Sequence, residues 1–123
     1  MRVLLSIRPE HAARILDGEK RFEYRRRVFR QEVTCVVLYA SSPMRKLVGE
    51  FQLGEVLSDH PDKLWLATAA EGGITYEQFS HYFAGCTNGY ALKVDSYTKY
   101  AEPVDPEEVF DGFRAPQSFA YIG

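Results

Sequence analysis

Apolar and polar positions in the first part of the chain predict a strand followed by a short helix. Residues 3–6, three of them apolar, are typical of a short buried strand. Pro9 suits the first turn of a helix, because its missing N–H costs nothing there. Apolar side chains at helical spacing continue the helix to Leu16, and Asp17-Gly18 is a typical helix end.

A second strand is predicted directly after this helix, where aromatic and charged residues alternate. Phe22 and Tyr24 are expected to point inward. Glu23 and Arg25 then become neighbours on an outer, charged face.

The middle of the chain predicts two longer strands. Residues 33–39 are a continuous run rich in β-branched side chains, which indicates a strand buried on both faces. Residues 47–57 alternate between apolar and polar, but the phase slips at Gly54. A bulge is expected there, after which Val56 returns to the inner side.

Two short helices, one more strand and a tail are predicted for the remainder. Residues 59–69 and 75–83 carry aromatic residues at helical spacing, which we assign to the core. Residues 89–94 alternate as a strand. Beyond residue 102, three prolines and several acidic residues predict an extended, solvated tail.

Together these elements predict an α+β fold, a small and mainly antiparallel β-barrel with short flanking helices. Residues 1–123 are expected to form one domain, since no repeat, low-complexity tract or linker interrupts them. Strands do not alternate regularly with long helices, and no Gly-rich phosphate loop occurs. A doubly wound parallel sheet therefore fits this sequence badly.

Composition adds few constraints on chemistry. The 46% apolar content is sufficient for a core that needs neither disulfides nor structural metal. Cys35 and Cys86 have no companion at metal-ligand or redox-motif spacing. The three histidines lack the spacing of a helical metal site, so we expect them at surface or capping positions. No metal, no other cofactor and reduced thiols are expected.

The N-terminal segment and overall hydropathy predict a cytoplasmic location. Residues 1–7 include a few apolar side chains, but Arg8, Pro9 and Glu10 follow directly, so the segment does not fit a signal peptide. No stretch reaches the length needed to span a bilayer, and no membrane partner is expected.

The formal net charge of −2 conceals an uneven distribution. Residues 1–46 contain 11 Lys and Arg against five acidic residues, whereas residues 47–123 contain four against 12. Six cations lie within residues 20–30, beside three aromatic residues. Because guanidinium groups bind phosphate and stack on bases, this segment indicates a nucleic-acid-binding strip. A solvated charged hairpin is the alternative.

Several sequence blocks resemble, in order and over nearly the whole chain, the ASCH domains of the PUA-like superfamily. They are residues 5–10, 18–26, 39–43, 48–51 and 116–119, which read LSIRPE, GEKRFEYRR, YASSP, VGEF and PQSF. The resemblance implies a small β-barrel with flanking helices and a groove. It also implies binding of RNA or a nucleotide.

The leading hypothesis is accordingly an RNA- or nucleotide-binding protein with a basic groove. Arginines supply phosphate affinity, a carboxylate accepts from a base edge or orients an arginine, and hydroxyls hold a phosphate or base edge. The candidate binding residues are Lys20, Glu23, Arg25, Arg26, Arg27, Tyr39, Ser41 and Ser42.

Structural roles remain open for several of these residues. Lys20 and Glu23 converge only if Lys20 precedes the strand, and they then form either a structural ion pair or a ligand site. Ser41 and Ser42 also fit an ordinary Ser-Pro turn. Tyr39 either stacks on a ligand or fills the core.

A hydrolase is the alternative within the same superfamily, which includes amidohydrolases that deacetylate acetylcytidine nucleosides and a member that cleaves RNA. Lys20 matches the lysine of those amidohydrolases, and Glu71 lies near the position of their catalytic glutamate. Glu23 occupies the position of their nucleophilic threonine, which argues against the same chemistry. The tentative catalytic residues are Lys20, Glu23 and Glu71.

A third hypothesis is a protein-interaction adaptor whose acidic second half binds a basic partner. The oligomeric state is not predicted by any of these patterns.

Overall fold

The computed structural model describes residues Met1–Gly123, and a six-stranded sheet with three helices accounts for most of the chain. The strands are β1 (Arg2–Ile7), β2 (Phe22–Arg25), β3 (Cys35–Ala40), β4 (Lys46–Asp59), β5 (Gly89–Val104) and β6 (Phe119–Tyr121). The helices are α1 (Pro9–Leu16), α2 (Pro61–Thr68) and α3 (Tyr76–Tyr82). Short 3-10 turns occupy Ala69–Glu71 and Pro106–Glu108.

The sheet has the strand order β2-β5-β4-β3-β1-β6 and curls into a half-barrel. β1 pairs with β3 in parallel, and every other neighbouring pair is antiparallel. The predicted α+β class and mainly antiparallel barrel architecture are confirmed. The barrel is not closed by a strand ladder, because β2 and β6 are both edges.

Three apolar clusters pack on this sheet. The largest joins α1 to one face, through residues such as Ile15, Val36 and Phe51. A second cluster packs α2 and α3 against β2, and Phe79 and Phe83 contact Tyr24 edge to face. The third lies on the opposite face, where the C-terminal segment covers Leu4, Val37, Tyr39 and Leu47. Phe79 and Phe83 therefore belong to the core and Trp65 and Tyr82 pack against it, as expected, whereas Tyr76 of α3 is exposed.

The predicted tail is wrong in two places. β5 continues to Val104, ten residues beyond its predicted end, because this arm pairs with β4 as far as Leu47. β6 was not predicted, since only three residues pair with β1 and their pattern is too short to read. The start of α2 is also later than predicted, because Asp59 belongs to β4 and His60 caps the helix.

The predicted irregularity near Gly54 is confirmed, but its consequence is not. Pairing between β4 and β5 shifts register between Gln52 and Val56. Val56 is nevertheless 37% exposed, and Leu57 packs against the α2–α3 cluster instead. After the bulge, the inward-facing position is therefore one residue later than simple alternation indicates.

The three helices are short, and none is long and apolar enough to cross a membrane.

A small polar cluster lies across β3, β4 and β5. The Cys35 thiol donates a hydrogen bond to Glu50 Oε2 (3.3 Å), and the Tyr100 hydroxyl donates to Glu50 Oε1 (2.9 Å). Burial, and next the hydrogen bond to Glu50, raise the pKa of the Cys35 thiol to about 11. Cys35 is therefore protonated and shielded under ordinary conditions, whereas Cys86 is half-exposed.

In the native protein at about pH 8, Cys86 is expected to react with iodoacetamide at least about tenfold faster than Cys35, because the thiolate is the nucleophile. Mass spectrometry of the two cysteine peptides over time measures both rates. In denaturing urea the rates are expected to converge. Equal rates in the native protein would contradict this assignment.

Candidate functional site

Lys20 is buried although it carries a charged group. It precedes β2, in the turn that follows Gly18, and its side chain is only 1% exposed. Its Nζ donates to the Gly72 carbonyl (2.6 Å) and lies 3.6 Å from Glu23 Oε1. The geometry required for Lys20 and Glu23 to converge is therefore present. Burial lowers the pKa of the lysine, and the Glu23 carboxylate opposes that shift.

Glu23 is shared by two cations. Its Oε1 faces Lys20, and its Oε2 accepts from Arg25 Nη1 (3.2 Å). The prediction of an outer, charged face for Glu23 is wrong, because β2 turns this side of the strand toward the barrel interior, opposite Leu92 of β5. Glu23 and Arg25 do lie on the same face, as alternation predicts. Two cations around one carboxylate leave an excess positive charge at this place.

The turn Gly72-Gly73 encloses the lysine. Gly73 has φ +68°, and a Cβ atom there would lie 2.8 Å from Lys20 Cβ. A Cβ atom on Gly72 would collide with the hydroxyl of Tyr24. Only glycine allows the backbone to approach this closely. Arg14 of α1 donates to the Gly73 carbonyl (2.8 Å), so the helix holds the same turn.

Arg25 bridges the gap between the two edges of the sheet. From β2, its Nη1 donates to the Ser6 carbonyl of β1 (3.3 Å) and its Nη2 donates to Ser118 Oγ (2.8 Å), just before β6. The guanidinium is 13% exposed. Ser6 Oγ in turn donates to the Pro116 carbonyl (2.6 Å), which holds the C-terminal segment beside β1.

A cavity of about 390 Å³, which we call the β1–β3 groove, opens where the parallel strands β1 and β3 end. One wall comes from the end of β1, one from the end of β3 and its turn, and one from the C-terminal segment. The lining residues are Ser6, Ile7, Arg8, Tyr39, Ser41, Ser42, Arg45, Ala115, Pro116 and Gln117. Most of this lining is polar or cationic, and neither Arg8 nor Arg45 pairs with an acid.

The predicted binding residues fall into two linked groups. Tyr39, Ser41 and Ser42 line the β1–β3 groove. Lys20 and Glu23 do not line it, and they reach it only through Arg25, which binds Ser6. Tyr39 is buried against Phe113 in the core and also contributes to the wall of the groove.

The remaining predicted residues lie around this centre. Arg26 stacks on Tyr82 and donates through Nε to its carbonyl (2.7 Å), so it ties β2 to α3. Arg27 is exposed in the loop after β2. Glu71 is exposed in the 3-10 turn, and its carbonyl accepts from the Arg21 N–H while the next residue holds Lys20.

His11 does not fit its predicted surface role. Its ring is half-buried on α1, and Nδ1 is buried with no hydrogen-bond partner. Burial lowers its pKa, while the Glu23 carboxylate raises it to a smaller extent. His60, by contrast, occupies a capping position as expected and accepts from the Asp62 N–H.

Several site residues were not assigned from the sequence. Arg8 and Ser118 lie within blocks that carry the family resemblance, which was the available signal. Ser6 lies in the same block as Arg8, whereas Arg45 lies in none of them. Arg45 has a positive φ of 54°, an uncommon conformation for a residue with a side chain and one that often marks functional sites.

Comparison with known proteins identifies the class. Residues 5–113 match the model of the ASCH domain family, and the chain belongs to that family. The crystal structure of the ASCH protein from Zymomonas mobilis superposes with a TM-score of 0.92 at 24% identity, covering 99% of this chain and 87% of that one. A variant of the same protein with a serine replaced by alanine gives 0.91 at 23% identity, covering 99% of this chain and 88% of that one.

Two curated relatives extend the comparison. An ASCH domain-containing ribonuclease of Zymomonas mobilis is 25% identical over 126 residues, which cover 97% of this chain and 82% of that protein. The large ribosomal subunit protein uL22 of Ureaplasma parvum is 26% identical over 121 residues, which cover 98% of this chain. The chain spans only 39% of that ribosomal protein.

Replacing Glu23 with Gln is expected to lower the free energy of unfolding by about 3 kcal/mol, because Lys20 and Arg25 lose their shared counter-charge in a poorly hydrated site. Lys20→Met is expected to cost less, since Arg25 still neutralises Glu23. Urea titration followed by circular dichroism measures both values.

The matched control is Glu102→Gln, an exposed glutamate of β5 outside every ion pair, with an expected change below about 0.5 kcal/mol. If Glu23→Gln behaves like this control, the shared carboxylate does not hold the site together.

Proposed function

We propose that this chain binds single-stranded RNA and seats one nucleotide in the β1–β3 groove. The observation that carries the proposal is the lining of that groove. Arg8 and Arg45, neither of which forms an ion pair, line the same cavity as Ser41 and Ser42. Guanidinium groups bind phosphate oxygens, and hydroxyls bind phosphate or base edges.

The size and position of the groove support one nucleotide. A volume of about 390 Å³ lies in the range of small-ligand sites. Recognition of RNA sequence commonly targets unpaired bases that are splayed from their neighbours, which a cavity of this kind accommodates. Arg25 lies beside the groove, where its hydrogen bonds to Ser6 and Ser118 hold the β1 wall and the C-terminal wall together.

One relative supports RNA as the ligand, because it is named a ribonuclease and its alignment spans 97% of this chain and 82% of that protein. The basic first third of the chain, noted above, is consistent with a polyanionic ligand.

Binding to a labelled 12-nucleotide single-stranded RNA is expected to weaken by at least about tenfold in an Arg8→Ala/Arg45→Ala variant. The slope of log K against log salt is expected to become shallower by about 1.4, because each lost phosphate contact on a single strand contributes about 0.7. Fluorescence anisotropy across a salt series measures both quantities.

The matched control removes two exposed lysines that do not line the groove, Lys63→Ala/Lys99→Ala, and has the same net charge as the test variant. If both variants lose the same affinity, net charge and not the groove determines binding. If the wild-type chain does not bind RNA at all, the proposed function is wrong.

Cleavage of RNA is a second candidate function, favoured by the ribonuclease relative from Zymomonas mobilis. In this proposal Arg25 stabilises the negative charge that builds on the phosphoryl oxygens, as preorganised donors do in other enzymes. Lys20 and Glu23 act by holding Arg25, and Glu71 stays a distant candidate. Deacylation of cytidine nucleosides is less favoured, because Glu23 replaces the threonine nucleophile and both its oxygens face cations.

Arg25→Lys is expected to reduce the initial rate of RNA cleavage by about 100-fold, because lysine keeps the charge but loses the planar fork that spans Glu23, Ser6 and Ser118. Gel analysis of an end-labelled RNA measures the rate, and an unfolding curve checks that the variant folds. Equal rates in wild type and variant indicate a contaminating nuclease and exclude this role for Arg25.

A further inference from the structure

The open side of the half-barrel is covered by a loop, residues 26–34. The Tyr121 hydroxyl on β6 accepts hydrogen bonds from the backbone N–H groups of Arg30 (2.8 Å) and Gln31 (3.2 Å). The Phe29 ring contacts Phe119 edge to face, with centroids 5.0 Å apart. The loop is therefore held in place along β6 by specific contacts.

Two guanidinium groups on this loop have no partner. Arg27 and Arg30 are exposed, and neither takes part in an ion pair or a side-chain hydrogen bond. Arg26 differs, because Tyr82 engages it. The one acid of the loop, Glu32, is exposed and forms no ion pair. The loop thus presents cations that the fold itself does not use.

The loop is continuous with the β1–β3 groove through the C-terminal segment. Residues 115–117 form a wall of the groove, Ser118 binds Arg25, and Tyr121 binds the loop. An extended chain rises about 3.3 Å per residue, so Tyr121 lies roughly 13 Å beyond Gln117. That distance corresponds to a few nucleotides of an extended single strand, since bases rise by at least about 3.4 Å each.

We propose that the ligand is a polynucleotide whose strand leaves the β1–β3 groove along β6 and places two further phosphates on Arg27 and Arg30. This inference rests on the proposed function and extends it, because it selects an RNA several nucleotides long over a free nucleotide. The groove holds one end of the contact, and the loop holds the other.

Anisotropy measurements with a labelled trinucleotide and a labelled 12-nucleotide RNA test this path. The slope of log K against log salt is expected to be steeper for the longer RNA by about 1.4, the contribution of two phosphate contacts. A longer strand can bind in more registers, which raises its affinity but leaves the slope of log K against log salt unchanged. Arg27→Ala/Arg30→Ala is expected to abolish that difference, weaken the 12-nucleotide complex by about tenfold and leave the trinucleotide unaffected.

Two controls separate the contribution of the loop from other effects. Lys63→Ala/Lys99→Ala carries the same charge change and is expected to retain the length dependence. Tyr121→Phe keeps the ring but removes the acceptor of two loop N–H groups, so it is expected to weaken only the longer complex.

Each outcome has one interpretation. Equal salt slopes for the two RNAs in the wild type, or loss of trinucleotide binding in Arg27→Ala/Arg30→Ala, overturn the extended path. Trinucleotide binding that depends on Arg8 and Arg45 leaves the proposed function intact in either case. Absence of binding by both RNAs overturns the proposed function itself.

Discussion

The shared carboxylate of Glu23 is the constraint on which the rest of the structure depends. An ionised carboxylate is costly to bury unless it is paired and hydrogen-bonded, and Glu23 satisfies this requirement with Lys20 on one oxygen and Arg25 on the other. Arg25 in turn reaches Ser6 and Ser118 across the open side of the sheet. The same ion pairs therefore complete the half-barrel and set the wall of the β1–β3 groove. The contacts of Arg25 across the open side of the sheet and at the wall of the candidate site are therefore the same contacts.

The net charge does not indicate where this protein has a basic surface, because some of its cations are buried or stacked on aromatic rings and others have no partner. Lys20 is buried and bound to the Gly72 carbonyl, and Arg26 stacks on Tyr82. Residues 20–30, the densest cationic segment of the sequence, therefore present fewer unpaired charges at the surface than their composition indicates. The cations left without acidic partners include Arg8 and Arg45 in the groove and Arg30 on the loop. A formal charge of −2 thus coexists with a locally basic surface around one cavity.

Local patterns were sufficient for most of the elements. The helix from Pro9, the buried strand that became β3 and the capped helix after Thr75 each follow from a few neighbouring residues. The alternation of residues in β2 wrongly predicted an exposed Glu23. A two-residue repeat shows that the two faces of a strand differ, but it does not show which face is buried when both are covered. Alternation failed again for β6, whose three residues are ordered by pairing with β1 and by no pattern of their own.

By itself, the sequence determined the family, the types of its main elements and the residue kinds available for anion binding. The tertiary structure alone decided which of those residues meet. Ser6 and Pro116 are 110 positions apart and share a hydrogen bond, and Arg25 and Ser118 are 93 apart. Spacing along the chain carries no information about such contacts, because they depend on how far the sheet curls. That curvature is a property of the whole fold, since it brings the two edges of one sheet together.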